Sequence, residues 1–559
     1  MTTKRIAHFA ASVAVFAPVC VAVAETDPPA NPPEQLGHKE VPGDAYRPAP
    51  RGPRLTSPAG IARLGDYTSV QVNVDENGDN IIGDAANEPS IAVDPRNSLR
   101  MAIGWRQFDT ISSNFRQGGW GYTTDGGRTW TFPGVIQPGE FASDPVLDFN
   151  NDGGFYFYSL QPDRGPGEWA CYLYKSFDVG QSWPQDDYGW GGDKEWITVD
   201  RSGGIGDGNF YAWWSSYFTC CDGQFTRSTD GGQTFMDPIW IPNEPMWGTA
   251  TVGPDGEVYI GGYDFWSWSF VMARSSNAQD PAVTPVFELD RVVDFGGSWS
   301  DHTGPNPGGL MAQVWVSCDH SDGPTRGNVY MMCSVDPGGS DPMDVMFVAS
   351  TDGGATWSSP KRVNDDTGNA WQWFSAMEVA PSGRIDVIWN DTRDDPGGYD
   401  SQLYYACSTD AGATFSTNEP ISPAFDPHVG WPSQDKIGDY SDLVSDKVGV
   451  DVTYSATFTG GQDVYYVRIG DYDCNDNGIG DATDIADGSS SDWNANGIPD
   501  ECECLSDVTG DGTTDVLDLL AILAAWGTTG ADIPEDVNFD GTVDVLDLLA
   551  ALSAWGPCA

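Results

Sequence analysis

One eight-residue pattern recurs five times and limits what this chain can fold into. It runs from Thr123 to Trp130 (TTDGGRTW), Ser176 to Trp183 (SFDVGQSW), Ser228 to Phe235 (STDGGQTF), Ser350 to Trp357 (STDGGATW) and Ser408 to Phe415 (STDAGATF). Its aspartates fall at 125, 178, 230, 352 and 410, so the gaps are 53, 52, 122 and 58 residues. The long gap is two units of 61, and Ser275 to Asp280 (SSNAQD) lies inside it as a decayed copy. The pattern has the chemistry of a tight β-turn. Asp and Ser/Thr side chains bond loop amides, Gly admits positive φ, and the closing aromatic packs on a sheet. A period of 50 to 60 residues built on such turns predicts a repeat architecture rather than one irregular core.

Each copy follows a similar preamble. An apolar strand (Ser90 to Val93, Pro145 to Asp148, Trp196 to Val199) precedes a turn and a second strand (Arg100 to Trp105, Phe155 to Tyr158, Phe210 to Trp213). A third strand leads into the turn, and the closing aromatic opens a fourth. Seven preambles start near Glu88, Asp144, Glu195, Trp247, Met311, Gln372 and Asp439. The 67 Gly, 39 Pro and 12% aromatic content suit many short strands. The expectation is all-β: a seven-bladed propeller over 65–470. Six blades is the alternative, because Asp290 to Val335 is irregular. Val70 to Val74 is expected to add the fourth strand of the last blade. The repeats resemble the Asp-box (BNR) repeats of sialidase-like β-propellers over about 400 residues.

The rest of the chain divides by composition. Residues 1–24 read as a secretory signal, with Lys4 and Arg5 before an apolar run and Ala22-Val23-Ala24 as the cleavage site. Residues 25–64 hold nine prolines and form a linker. No later run suits a membrane span, so a secreted, extracellular or cell-surface protein is expected. Ten cysteines remain after the signal, which in an exported chain fits disulfides. Cys318–Cys333 and Cys504–Cys558 are the expected pairs. Cys220 and Cys221 bond to each other or to separate partners.

Charge separates the tail from the body. The chain carries 82 acidic and 27 basic residues, a net of −55. That balance excludes a generic nucleic-acid binder. From Asp471 to Ala559 there are 20 acidic residues and no Lys or Arg. Those acids are patterned. Two short loops, in 471–503, place Asp473, Asn475, Asn477, Asp481 and Asp484, then Asp492, Asn494, Asn496, Asp500 and Glu503, at positions 1, 3, 5, 9 and 12. Two longer copies fill 504–559. One holds Asp507, Thr509, Asp511, Thr513, Asp515 and Asp518, the other Asp536, Asn538, Asp540, Thr542, Asp544 and Asp547, and each runs into an apolar helix. Gly at position 6 permits the turn that wraps six to eight oxygens around calcium. Calcium is therefore the expected cofactor. The first pair resembles thrombospondin type 3-like calcium repeats. The second pair, an α-helical duplicated EF-hand-like unit, resembles a type I dockerin domain. That resemblance implies an attachment role, with a cohesin-like or cell-surface partner. Positions 10 and 11, which help dockerins choose a cohesin, are apolar here (Val516-Leu517 and Val545-Leu546).

Propeller ligands bind at the channel mouth, where the innermost strands begin. Residues expected there are Glu88, Asp144, Glu195, Trp196, Trp373, Asp439 and Tyr440, with Arg106, Asp391 and Arg393 from second-strand ends. Paired carboxylates beside aromatics suit glycoside binding or hydrolysis. In a catalytic reading Glu88, Glu195 and Asp439 serve as acid, base or nucleophile, with Tyr440 as an alternative nucleophile. The resemblance implies a sialidase-like glycoside hydrolase of polysaccharide degradation, yet the Arg-Ile-Pro motif of catalytic sialidases is absent. Three functions follow: a calcium-stabilised propeller that binds extracellular carbohydrate or a protein, such a hydrolase, or a structural surface protein.

Overall fold

The computed structural model describes residues 44–47, 54–165, 168–216, 219–509, 513–530 and 533–557. The signal segment and most of the linker lie outside the described residues, as do Asp511 and Cys558. The body is a seven-bladed β-propeller. Its innermost strands are Ala85–Val93, Ser143–Phe149, Trp196–Val199, Ala250–Val252, Trp315–Cys318, Gln372–Val379 and Asp442–Ser445. Each packs beside the next, and the seventh packs beside the first, so the ring closes. All pairings within the blades are antiparallel, and in the first six blades the strands follow chain order from the axis outward. Alternate residues of a strand meet the two neighbouring blades, which explains the near-continuous burial of strands such as Met101–Phe108 and Phe155–Pro162.

The six-bladed alternative fails because Asp290 to Val335 supplies the fifth blade's first strands and also an inserted hairpin, Asp301–Thr303 with Asn306–Leu310. The insertion disguised the period. The last blade is closed from the other end of the chain. Tyr67–Gln71 pairs with Asp463–Gly470, with Val70 opposite Tyr466, and Ile61–Leu64 adds a fifth strand. The closing strand thus starts three residues before the expected Val70.

The repeated turn is held by its aspartate. Asp125 Oδ2 accepts from Thr129 Oγ1 at 2.6 Å, and its Oδ1 accepts from Thr123 Oγ1 at 2.7 Å. Asp178, Asp230, Asp352 and Asp410 make the same pair of bonds. These bonds hold Asp352 and Asp410 down at about 2. The carboxylates are occupied in shaping the turn. The glycine at the fifth position of the pattern does something the sequence does not announce: it abuts the preceding blade. A Cβ at Gly127 would lie 2.2 Å from Tyr466, and one at Gly412 2.1 Å from Phe347. Gly180, Gly232 and Gly354 meet Ala102, Leu173 and Met272 in the same way. The pattern is therefore a latch between blades as well as a turn. Gly412→Ala, at φ +78, should cost roughly 3 kcal/mol from the left-handed backbone and the clash. Gly397→Ala, at φ +85 with open space around it, should cost about 1 kcal/mol. Denaturant melts of the two variants check this.

Two cysteine expectations resolve. Cys220 and Cys221 bond to each other, and Cys474 bonds Cys502. Cys318 and Cys333 are both free and buried. They sit on paired strands but out of register: Cys318 faces Val329, and Cys333 faces Met346 on the next strand. Cys504 is disulfide-bonded.

The tail holds three helices: α1 (Asp481–Asp487), α2 (Val516–Ala524) and α3 (Val545–Ser553). Asp515 and Asp544 cap α2 and α3 through capping boxes completed by Asp518 and Asp547. The first loop pair is fastened to the propeller. Cys474, Ile498 and Cys502 pack with Leu99 and Tyr472, and Tyr472 Oη donates to Gly126 O at 2.6 Å. Among the described residues no helix is long and apolar enough to cross a membrane.

Candidate functional site

A recurring backbone kink turns side chains toward the axis. Glu88, Asp144, Lys194, Trp247 and Phe374 all have φ between 47° and 56°, each at the start of an inner strand. Register shifts mark the kink between Asn87 and Ser90 and between Trp373 and Ala376. A bulge of this kind re-aims a side chain at the cost of left-handed strain.

The re-aimed charges neutralise one another. Arg106 Nη2 lies 3.0 Å from Glu88 Oε1, and Lys194 Nζ lies 2.9 Å from Asp144 and 2.5 Å from Asp439. Lys436 Nζ lies 2.6 Å from Asp439 and 3.4 Å from Glu88. Three cations face three carboxylates, and all six residues are buried. Burial pushes Glu88 up, and Arg106, Lys194 and Lys436 oppose it. Burial also opposes ionisation of Asp144, yet Lys194 and Arg106 outweigh it and hold that carboxyl below the usual range. Glu195 is buried beside the cluster, and among the described residues neither of its carboxyl oxygens has a hydrogen-bond partner. Burial, then Asp144, raises it well above the ordinary glutamate value.

The inserted hairpin covers this cluster. Leu310 N–H donates to Asp439 Oδ1 at 2.8 Å, Gly308 N–H to Asp435 O at 2.7 Å, and Asn306 Nδ2 to Gly438 O at 2.9 Å. Below it, Trp196 packs edge to face with Trp315 and with Tyr440, whose Oη donates to Pro145 O. Glu88, Arg106, Asp144, Lys194, Glu195, Asp439 and Tyr440 are thus brought together, but inside a sealed layer. Trp373 is buried and donates to Ser401. Asp391 and Arg393 lie elsewhere on the sixth blade, paired at 2.8 Å, with Arg393 also on Asp365 and over the Tyr404 ring. Lys436 was missed by sequence reasoning because it sits in the loop before the seventh blade, outside any repeated position.

The channel is open instead toward the turn face. A cavity of about 350 Å³ is lined by inner strands of all seven blades, and Asp473 and Asp476 of the tail stand at its edge. Its wall holds Asp148, Glu378 and Asp442, none expected from the sequence. Their signal was available: each follows the alternation of an inner strand. Asp442 accepts from Ser90 Oγ at 2.7 Å, and burial pushes it up to about 7. Burial pushes Glu378 up to about 8, with Arg201 opposing. An unfolded glutamate ionises near 4.5, so between these values the folded chain holds a proton the unfolded chain has lost. That contribution is full below about pH 4.5 and is lost as pH rises through about 8. Glu378→Gln should therefore match wild type in melting temperature at pH 4 and exceed it at pH 9.

Three of the four tail loops, those starting at Asp473, Asp492 and Asp536, share one backbone course. Position 4 has positive φ at Asp476, Ala495 and Phe539, and position 6 at Gly478, Gly497 and Gly541. Position 1 accepts two amides in each: Asp473 from Asn477 and Gly478, Asp492 from Asn496 and Gly497, Asp536 from Asp540 and Gly541. Position 12 reaches back, as in Asn477 Nδ2 to Asp484 Oδ2 at 2.7 Å and Asn496 Nδ2 to Glu503 Oε1 at 2.6 Å. A 180° turn of either amide would present Oδ1 at the same place. Asp484, Asp518 and Asp547 are buried although they carry carboxylates, which favours a cation partner. This donor set fits a hard cation. Among the described residues no three His, Cys, Asp or Glu side chains converge on one point, so Asn oxygens and backbone carbonyls would complete each set. In the third loop Asp507, Thr509, Thr513, Asp515 and Asp518 are described, and Asp511 is not. Asp481, Asp500 and Asp544 each accept an amide from their own loop or helix start, whereas Asn475 and Asn494 turn to Glu501 and Glu503. Thr542 lies in the fourth loop, beside a bridge to Thr529.

Helices α2 and α3 leave matching apolar stripes in solvent. Val516, Leu517, Leu520, Leu523 and Trp526 are each about half exposed, and so are Val545, Leu546, Leu549, Leu552 and Trp555.

No protein-family model matches the chain, and no curated protein matches it. An unknown-function protein from Dyadobacter fermentans is similar over 72% of this chain and 97% of its own, at 16% identity and a TM-score of 0.39. A mutant of Trypanosoma rangeli sialidase displaying trans-sialidase activity is similar over 74% of this chain and 60% of its own, at 14% identity and a TM-score of 0.36. The GH74 enzyme of Niastella koreensis is similar over 74% of this chain and 72% of its own, at 14% identity and a TM-score of 0.35.

Proposed function

We propose that this protein is an exported, calcium-binding Asp-box propeller that recognises an extracellular glycan or protein without catalysis, and that its dockerin-like tail attaches it to a further partner. The observation that carries the reading is the sealed mouth. The carboxylates best placed to act as acid and base, Glu88 and Asp439, are spent on Arg106, Lys194 and Lys436 and are buried under the 301–310 hairpin. General acid–base work needs a group within hydrogen-bond reach of substrate. The tail contributes a second support. Contiguous exposed apolar stripes on an acidic helix pair suit a docking face. Calcium would be held by the 1-3-5-9-12 side chains of the four loops.

A glycoside hydrolase remains the second reading, favoured by one observation: two carboxyls pushed up, Glu378 and Asp442, share the open channel. A panel of fluorogenic glycosides separates the two. No turnover, with retention on a glycan array or capture by a defined extracellular protein, supports recognition. Turnover abolished by Asp442→Asn establishes the hydrolase.

A further inference from the structure

The central channel has the features of a small-ligand site that is separate from the outer surface. It is concave, about 350 Å³, and open at one end. Aliphatic side chains, Leu147, Val199, Val252, Val316, Val379 and Leu443, form much of its wall. Trp196 and Trp315 line it where it meets the sealed layer. Such a cavity with a few convergent polar groups is the usual form of a small-molecule site.

Its charge is unbalanced. The wall cations among the described residues are engaged: Arg201 by Asp148, and Lys447 by Asp476 at 2.8 Å. His320 Nε2 is bonded to Val252 O at 2.7 Å, and burial lowers its pKa, so at neutral pH it adds no charge. Glu378 faces the same cavity with no hydrogen bond or ion pair among the described residues, and Asp442 has only hydroxyl and amide donors. An independent sign is Ser98. It is only 7% exposed, lines the cavity, and its Oγ has no partner among the described residues. A buried polar group left unpaired calls for a partner such as a water, an ion or a ligand group.

We propose that the channel binds a small aliphatic amine in its ammonium form, with Glu378 and Asp442 as counter-ions and the aliphatic wall around its carbon chain. A bare metal ion fits less well, because aliphatic and aromatic side chains interleave with the acids along the wall and Asp148 is already engaged by Arg201. A neutral sugar offers no positive charge to favour the ionised forms of Glu378 and Asp442, as an ammonium group does. An anion would meet Asp148, Glu378 and Asp442 together.

Isothermal titration calorimetry of the full chain, kept in calcium, tests this with 1,5-diaminopentane as the probe and 1-pentanol as the uncharged control. Saturable binding of the diamine is expected, with pentanol at least 10-fold weaker. Glu378→Gln should weaken the diamine at least 10-fold while melting like wild type at pH 4, since it forfeits no partner. Asp442→Asn, measured alongside, should weaken binding in the same direction. No diamine binding at 10 mM, equal binding of pentanol, or unchanged binding by Glu378→Gln overturns the proposal. Binding that persists in Glu378→Gln and strengthens on chelation would place the amine on the freed tail carboxylates, and so also overturns it.

Discussion

Arg106→Met is expected to destabilise the propeller by about 3–5 kcal/mol, the usual cost of removing one partner from a buried charge network. Arg106 touches Glu88 at 3.0 Å and donates from Nε to Asn87 at 2.9 Å, and it has no exposed surface. Its loss leaves Glu88 facing Asp144 with Lys194 and Lys436 alone to balance Glu88, Asp144 and Asp439. The double variant Arg106→Met/Glu88→Gln should recover part of that cost, because the orphaned charge goes with its partner. Denaturant melts of the three variants measure it. A single variant within 1 kcal/mol of wild type would mean that water reaches this layer, and the sealed mouth, on which the non-catalytic reading stands, would no longer hold.

Chelating calcium from the full chain is expected to melt α2 and α3 while most of the propeller stays folded. Without a cation, Asp507, Asp515 and Asp518, and likewise Asp536, Asp540, Asp544 and Asp547, crowd one loop each with no Lys or Arg in 471–559. The helices have little else to hold them. Their shared core is small, chiefly Ile522, Val537, Val543 and Ala551, and nine-residue helices are marginal alone. Ligand at 1,000 times its Kd supplies about 4 kcal/mol per site. Far-UV circular dichroism with EGTA, followed by calcium readdition, should show reversible helix loss. An unchanged helical signal would end the calcium assignment. The first loop pair is tied by Cys474–Cys502 and by Leu99 and Tyr472, so its loss should be smaller.

Much of the fold was legible because its signals are local. Turn chemistry depends on residues four apart, so five turns were visible as Asp125, Asp178, Asp230, Asp352 and Asp410. The inner strands were visible from their apolar runs, and the ring count followed. The helix starts at Asp515 and Asp544 follow from the same kind of short-range bonding. Cys318 and Cys333 show the limit. Both cysteines were visible, but their register depends on which residues of two strands face each other, and that is set by the whole blade.

The candidate site was legible only as a set of names. Chain order alone places Glu88, Asp144 and Asp439 near strand starts and gives the tail its acids in a fixed spacing. What they do depends on contacts between distant parts of the chain. A kink at φ near 50° marks Glu88, Asp144 and Lys194, while Asp439 follows Gly438 at φ +104, and Arg106 and Lys436 reach the same cluster from two other places in the chain. A hairpin hidden in the irregular stretch then covers them. Spacing along a chain records which groups a turn can bond. It does not record which distant charges will share one buried layer, because that depends on how the ring closes and where water is excluded.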